Sequence, residues 1–157
     1  MCDSSVLDAA APGDLLPQPR VTRALTVRQP WAFAIAAGAK DVENRSWPTA
    51  HRGWLAIHAS STPADAAEGA HCAQLLAAAG VAPPAAAQLP RSAVVAVVFV
   101  RDVLPPQQPV ASAWAQRGCF HWLLRDARAL GAPVPCAGQK NVWALSDDVS
   151  AAITAQL

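Results

Sequence analysis

The sequence predicts a small α+β domain, mainly β, in which five to seven short strands form a barrel with peripheral helices. Three observations predict it. A chain of 157 residues is the length of one ordinary domain with a core of its own. Short β-rich segments alternate with turns rich in Pro and Gly. The longest apolar run, Ala93 to Val100, has the length of a strand and falls far short of the ~18–20 residues of a membrane helix.

In the first half of the chain, alternating or β-rich segments predict strands over residues 24–28, 40–47 and 53–59. Pro30 suits the first turn of a short helix over residues 31–37, which Gly38 ends. A second helix is expected from Thr62, as N-cap, to about Ala79, with Gly80 as its stop. In the third strand, Trp54, Ala56 and His58 should face one way, and Leu55 and Ile57 the other.

In the second half, residues 92–103 are nearly all Val and Ala, which predicts a long strand buried on both faces. Trp114 should lie on a short helical turn. Further strands are expected at residues 119–125 and 141–145, with an extended, Pro-rich stretch between them at 130–136. A helix over residues 147–157 should end the chain.

The chain divides into an N-terminal arm, residues 1–22, and a single domain, residues 23–157. The arm is rich in Ala, Pro, Gly and Asp, which predicts loose order, and it lacks the pattern of a secretory signal. The four cysteines contain no C-x-x-C pair, so we expect reduced thiols and a cytoplasmic protein. Zinc sites usually need such pairs, and we therefore predict no metal and no cofactor.

The charge is distributed unevenly along the chain. The net charge is +1, yet residues 20–58 hold six basic and two acidic side chains, a local +4. Such a strip suits contact with a base or a few phosphates, and it does not suit sequence-independent coating of a duplex, which needs many phosphate contacts. A solvated surface strip would carry the same charge pattern.

Residues 25–60 concentrate the side chains that hold a nucleobase. Tryptophans stack on bases, glutamine pairs with base edges, and arginine pairs with phosphates or guanine edges. The candidate ligand-binding residues are Arg28, Gln29, Trp31, Arg45, Trp47, Arg52, His58 and Ser60. Of the tryptophans, we expect Trp31 or Trp54 to be mainly core and Trp47 to be more exposed.

Lys40 and Glu43 are the candidate catalytic residues. On a helix they would form an ordinary surface pair. Gly38, however, ends the predicted helix before them, so both should enter a strand and face a cleft. The two residue types alone do not decide between a salt bridge and a catalytic pair.

Four ordered segments together resemble the signatures of the ASCH domain family, of the bacterial and phage type. They are LTVRQPWA, GAKDVENRSW, RGWLAIHAS and PVPCAGQKNVWAL, and they span roughly residues 24 to 146. The resemblance implies a PUA-like β-barrel whose cleft carries Gly38, Lys40 and Glu43. It also implies a partner among RNA, single-stranded nucleic acid, nucleosides and nucleotides, and no membrane.

The resemblance leaves the reaction open. One branch of the family looks like an amidohydrolase acting on N4-acylcytidine, which uses a lysine with threonine three residues later. Glu43 stands at that threonine position. Another branch resembles a metal-dependent ribonuclease, but the chain shows no two-carboxylate metal pattern. The favoured function is therefore RNA-related binding of a nucleic acid or a modified nucleobase, and the alternative is hydrolysis of a modified nucleoside or RNA. A plain protein-interaction domain fits the polar segment less well.

Overall fold

The computed structural model describes residues 19–157, which form six strands, three α-helices and a short 3₁₀ turn at Ala86–Gln88. The strands are β1 (Arg23–Val27), β2 (Val42–Arg45), β3 (Gly53–Ala59), β4 (Ala93–Leu104), β5 (Phe120–Pro135) and β6 (Val142–Ala144). The helices are α1 (Trp31–Ala36), α2 (Ala66–Ala78) and α3 (Asp147–Thr154).

The six strands form one sheet in the order β2-β5-β4-β3-β1-β6. All neighbouring pairs are antiparallel except β1 and β3, which run parallel. The sheet curls into a half barrel, and the guanidinium of Arg45 on β2 donates to the carbonyl of Thr26 on β1 at 2.9 Å, across the open side. The predicted mainly β, α+β architecture is confirmed.

The two faces of the sheet pack into separate cores, as the alternation in β3 predicted. Leu55 and Ile57 lie in the core inside the curl, beneath α1. Trp54 and Ala56 lie in the core on the outer face, together with Ile153 of α3. Because β4 is central in the sheet, it contributes valines to both cores.

Two expectations about element boundaries are wrong. The predicted strand at 119–125 and the extended stretch at 130–136 are one continuous strand, β5, because β4 pairs with it along its length through three register shifts. Helix α2 starts later than predicted: Asp65, not Thr62, is the N-cap and accepts from the Glu68 amide at 2.8 Å. The Ala64 amide donates to the Gln29 carbonyl, which holds the preceding residues outside the helix.

The predicted N-terminal arm lies mostly outside the described residues. Its last residues are packed, since Val21 is fully buried and its carbonyl accepts from the Ser150 hydroxyl. Within residues 19–157, every helix is too short or too polar to cross a bilayer.

Candidate functional site

A cleft of about 790 Å³ opens where the end of β1, strand β2 and the loop before β5 meet helix α2. Six of the ten predicted site residues line it: Arg28, Trp31, Lys40, Glu43, Arg45 and Trp47. Gln29, Arg52, His58 and Ser60 lie elsewhere. The cleft therefore unites the Lys40–Glu43 turn with two of the predicted stacking residues.

Three charged side chains form the floor of the cleft. The Lys40 ammonium lies 3.0 Å from Glu43 Oε2, and it also donates to the Val42 carbonyl. On the other side, Arg45 Nε donates to Glu43 Oε1 at 2.9 Å. Lys40 and Glu43 are both buried, whereas Arg45 is only half-buried. Each carboxylate oxygen of Glu43 thus has a cation of its own.

The pairing keeps Glu43 ionised in spite of its burial. Burial by itself would raise the pKa of the Glu43 carboxyl, but the charges and hydrogen bonds of Lys40 and Arg45 outweigh it. As a result, the pKa of Glu43 lies below its ordinary value of 4.5. At neutral pH the floor of the cleft is an ionised triad with a net charge of +1.

Local backbone geometry brings Lys40 to this position. Gly38 ends α1 with φ +75°, a conformation that side chains with a Cβ rarely adopt. The amides of Ala39 and Lys40 then both donate to the Ala34 carbonyl, which closes the helix end. The chain enters β2 directly, so Lys40 and Glu43 leave the helical register in which they would face solvent.

Three tryptophans form the aromatic walls of the cleft. The ring of Trp31 meets Trp114 edge-on, with centroids 6.3 Å apart. Trp47 meets the buried Trp122 in the same way at 5.0 Å. Trp114 is buried, whereas Trp31 and Trp47 are half-buried and border the cleft. Edge-to-face contacts fix the orientation of both half-buried rings.

An exposed ion pair stands at the mouth of the cleft. Arg28, just after β1, donates to Glu68 of α2 at 2.9 Å. The cleft is therefore lined by three basic side chains and two carboxylates, and its formal charge is +1. The local +4 of the sequence is not concentrated here, because Arg20, Arg23 and Arg52 lie outside the lining.

Gln29 is held inside the fold, away from the cleft lining. Its side-chain oxygen accepts from the Phe33 amide at 2.9 Å, and its nitrogen donates to the Pro90 carbonyl at 3.0 Å. The residue is buried. These bonds tie the start of α1 to the segment before β4, so the amide group serves the fold in this conformation.

His58 and Ser60 also have partners within the fold. His58 Nε2 lies 2.9 Å from the Cys136 carbonyl and Nδ1 lies 3.2 Å from Thr26 Oγ1, which in turn accepts from Trp143 Nε1. Ser60 Oγ accepts from the Thr62 amide. His58 therefore belongs to a buried junction of hydrogen-bonded groups, and Ser60 stabilises a local turn. Neither side chain lines the cleft.

Arg52 lies on the outer face of the sheet. It donates to Asp102 at 2.9 Å and to the carbonyls of Thr49 and His51. The turn before β3 directs it away from the cleft, so any contact it makes with a ligand belongs to a different surface.

The cleft contains residues that the sequence analysis did not select. Glu68, His71 and Leu75 come from α2, and their spacing of three and four residues places them on one helix face. Asn44 accepts from the Gln116 amide and donates to the Trp114 carbonyl at 2.8 Å, which fastens the loop before β5 to β2. The helical spacing was visible in the sequence, but nothing in it indicated that this face would meet β2.

Among the described residues, no group of three or more His, Cys, Asp or Glu side chains is arranged to hold a metal ion. The cleft is bordered by a cation–carboxylate triad, aromatic faces and one imidazole, that of His71. Such groups can stack on a planar ring and hydrogen-bond its edge.

Comparison with known proteins agrees with this fold. A family model described as the ASCH domain matches residues 25–144. The solved structure of the ASCH protein from Zymomonas mobilis aligns with 87% of this chain and 94% of its own, at 12% identity and a TM-score of 0.53. Two single-substitution variants of that protein align similarly, with 87% and 89% of this chain covered, 98% of their own, 12% identity and TM-scores of 0.53 and 0.52. No curated protein matches the chain significantly.

Proposed function

The chain belongs to the ASCH domain family, whose members are generally thought to bind nucleic acids or to act on them, and from this premise we propose that its cleft binds a nucleobase. The base is presented as a free nucleoside, as a nucleotide or within single-stranded RNA. The observation that carries the proposal is the meeting of two oriented, half-buried tryptophans, Trp31 and Trp47, with the Lys40–Glu43–Arg45 triad in one cleft.

Stacking supplies the affinity in this proposal. An aromatic side chain contributes ~1–3 kcal/mol per stacked base, with little dependence on the base's identity. Trp31 and Trp47 are held by edge contacts with Trp114 and Trp122, so they lose little rotational freedom when a base binds. The half-buried rings offer apolar area that water covers only in part.

The triad supplies hydrogen bonds to the base edge. An ammonium group carries three donors. Glu43 and the Val42 carbonyl take two donors of Lys40, and the ammonium also lies 5.8 Å from the centre of the Trp31 ring. A base stacked beside Trp31 would therefore lie close to the remaining donor. Asn44 also borders the cleft, although its amide is engaged with the loop before β5. A buried donor with one free hydrogen selects for a ring that places an acceptor opposite it.

Binding can be tested by calorimetry with the four standard ribonucleosides and N4-acetylcytidine. Trp47→Ala should weaken binding of the preferred nucleoside by about 1–3 kcal/mol, and Trp47→Phe by less, since a ring remains to stack. Arg52→Gln is the matched control, because it removes an exposed arginine with a carboxylate partner outside the cleft. Binding that resists Trp47→Ala, or that falls equally in Arg52→Gln, contradicts the proposal.

A hydrolase is the second candidate, favoured by the buried position of the charged Lys40–Glu43 pair at the floor of an open cleft. In this role the Lys40 ammonium, held in place by Glu43 at 3.0 Å, stabilises negative charge on the reacting group. Turnover of N4-acetylcytidine or RNA, with and without Mg²⁺ or Mn²⁺, tests this candidate. The candidate requires that Lys40→Met abolish the turnover and that Arg91→Gln, at an exposed arginine outside the cleft, retain it.

A further inference from the structure

A second basic surface lies on the outer face of the sheet, on the side of β3, β4 and β5 that carries the outer core. We call it the outer arginine patch; it consists of Arg52, Arg101, Arg125 and Arg128. All four arginines are exposed. They come from three separate stretches of sequence, so only the pairing of β3, β4 and β5 brings them together.

Two of these arginines stack on aromatic rings. Trp54 and Phe99 are cross-strand neighbours whose rings meet edge-to-face at 5.5 Å. The guanidinium of Arg128 lies 4.7 Å from the centre of the Trp54 ring, and that of Arg125 lies 5.0 Å from the centre of the Phe99 ring. A stacked guanidinium has its plane fixed, while its N–H groups remain at the edge for bidentate bonds to an anion.

The patch is also positive on balance. Arg52 pairs with Asp102 at 2.9 Å, and Arg125 lies 3.5 Å from Asp126. Within residues 19–157, Arg128 has no carboxylate partner, and Arg101 lies near Asp102 without a close ion pair, so the patch and its two aspartates carry a net +2. The whole chain carries only +1, which makes this surface more positive than the protein on average.

We propose that the outer arginine patch binds the phosphodiester backbone of a nucleic acid, with Arg125 and Arg128 as the oriented phosphate contacts. Guanidinium groups held over aromatic rings on a sheet face can present their N–H groups to phosphate oxygens. An acidic protein segment would be attracted by the same positive charge. The surface, however, already contains the carboxylates of Asp102 and Asp126, which pair with Arg52 and Arg125. The proposal concerns a surface separate from the cleft, so it stands whether or not the cleft binds a base.

The test measures the salt dependence of binding to a fluorescent RNA strand of about ten nucleotides, either single or annealed to its complement. It compares the native protein with three variants. Each phosphate contact to a single strand contributes about 0.7 to the slope of log K against log[salt]. A rise from about 50 to about 200 mM salt therefore costs about 2.6-fold per contact. The double variant Arg125→Gln/Arg128→Gln should lose about sevenfold less affinity over that range than the native protein.

Two controls separate charge, stacking and general damage. Arg125→Lys/Arg128→Lys keeps the charge but not the planar fork, so it should keep the slope and lose affinity at every salt concentration. Arg91→Gln removes one exposed arginine just before β4, at the end of the strand opposite Arg101, and should leave the slope unchanged. Binding of a nucleoside, which has no phosphate, should be unaffected by all three variants.

An unchanged slope in the glutamine double variant overturns the proposal, as does an equal change in Arg91→Gln. Polyglutamate that competes as well as the RNA strand would also overturn it, in favour of an acidic protein partner. The single-stranded and duplex arms identify which backbone is bound. If no nucleoside binds but the slope responds as stated, the cleft proposal fails and the outer arginine patch remains supported.

Discussion

Substitution of Lys40 by methionine tests the ionised triad directly. The variant keeps most of the side chain's length but leaves Glu43 with Arg45 as its only cation, and it removes the donor to the Val42 carbonyl. Removing one partner of a buried ion pair costs ~3–5 kcal/mol. Because Arg45 remains, we expect about 3 kcal/mol, which is a lowering of Tm by about 6–12 °C in a domain of this size.

The pH dependence of this loss identifies its cause. The folded-state pKa of Glu43 is depressed, so ionisation of Glu43 stabilises the fold above its ordinary 4.5, and this stabilisation disappears as the pH falls through the folded pKa. Without Lys40, only Arg45 opposes the effect of burial, so the pKa of Glu43 should rise. The penalty of Lys40→Met should therefore be full near neutral pH and should shrink on acidification.

The assay is urea denaturation of the native protein, Lys40→Met, Glu43→Gln and the double variant at about pH 7 and about pH 4. The contributions of other titrating groups to the free energy of unfolding cancel when the variants are compared at the same pH. We expect the double variant to be about 1–3 kcal/mol more stable than the sum of the single losses predicts. An additive double variant, or an equal Lys40→Met penalty at both pH values, would refute the triad.

Three further outcomes follow from the structure. Gly138→Ala should destabilise the domain by about 1–3 kcal/mol in urea denaturation, because the new Cβ would lie 2.6 Å from His58 Cε1; unchanged stability would contradict the buried junction. Glu68→Gln should strengthen binding of a nucleoside 5′-monophosphate relative to its nucleoside by up to about fivefold, since it frees Arg28 at the mouth of the cleft; an unchanged ratio in calorimetry would place the phosphate elsewhere. Cys72 should resist iodoacetamide at about pH 8 in the folded protein, because burial raises the pKa of its thiol to about 11; mass spectrometry that finds it alkylated before unfolding would contradict this.

The structure also explains two of the sequence segments that resemble the family signatures. The segment GAKDVENRSW supplies the helix stop at Gly38 and the triad, so its spacing reflects the turn from α1 into β2. In the late segment, Gly138 packs against His58 and Thr26 so closely that a side chain has no room at this position. The first of these segments therefore serves the site, and the second serves the fold that supports it.

Local chemistry determined what the sequence alone could predict. The alternation of β3, the Val-rich β4 and the glycine that ends α1 are visible within a few residues, because strand faces and helix ends depend on neighbours in the chain. The length of β5 was not visible in this way, since its partner along the whole strand is β4.

Tertiary structure alone decided which side chains meet. Gln29 looked like a base-pairing residue, yet two backbone groups on α1 and before β4 occupy its amide. Glu68 reaches Arg28 only because α2 packs over the end of β1. The outer arginine patch joins residues from β4, β5 and the turn before β3. Convergence of this kind depends on the curl of the sheet and on the docking of α2, which depend on contacts between residues far apart in the chain, so no pattern within a short segment can reveal it.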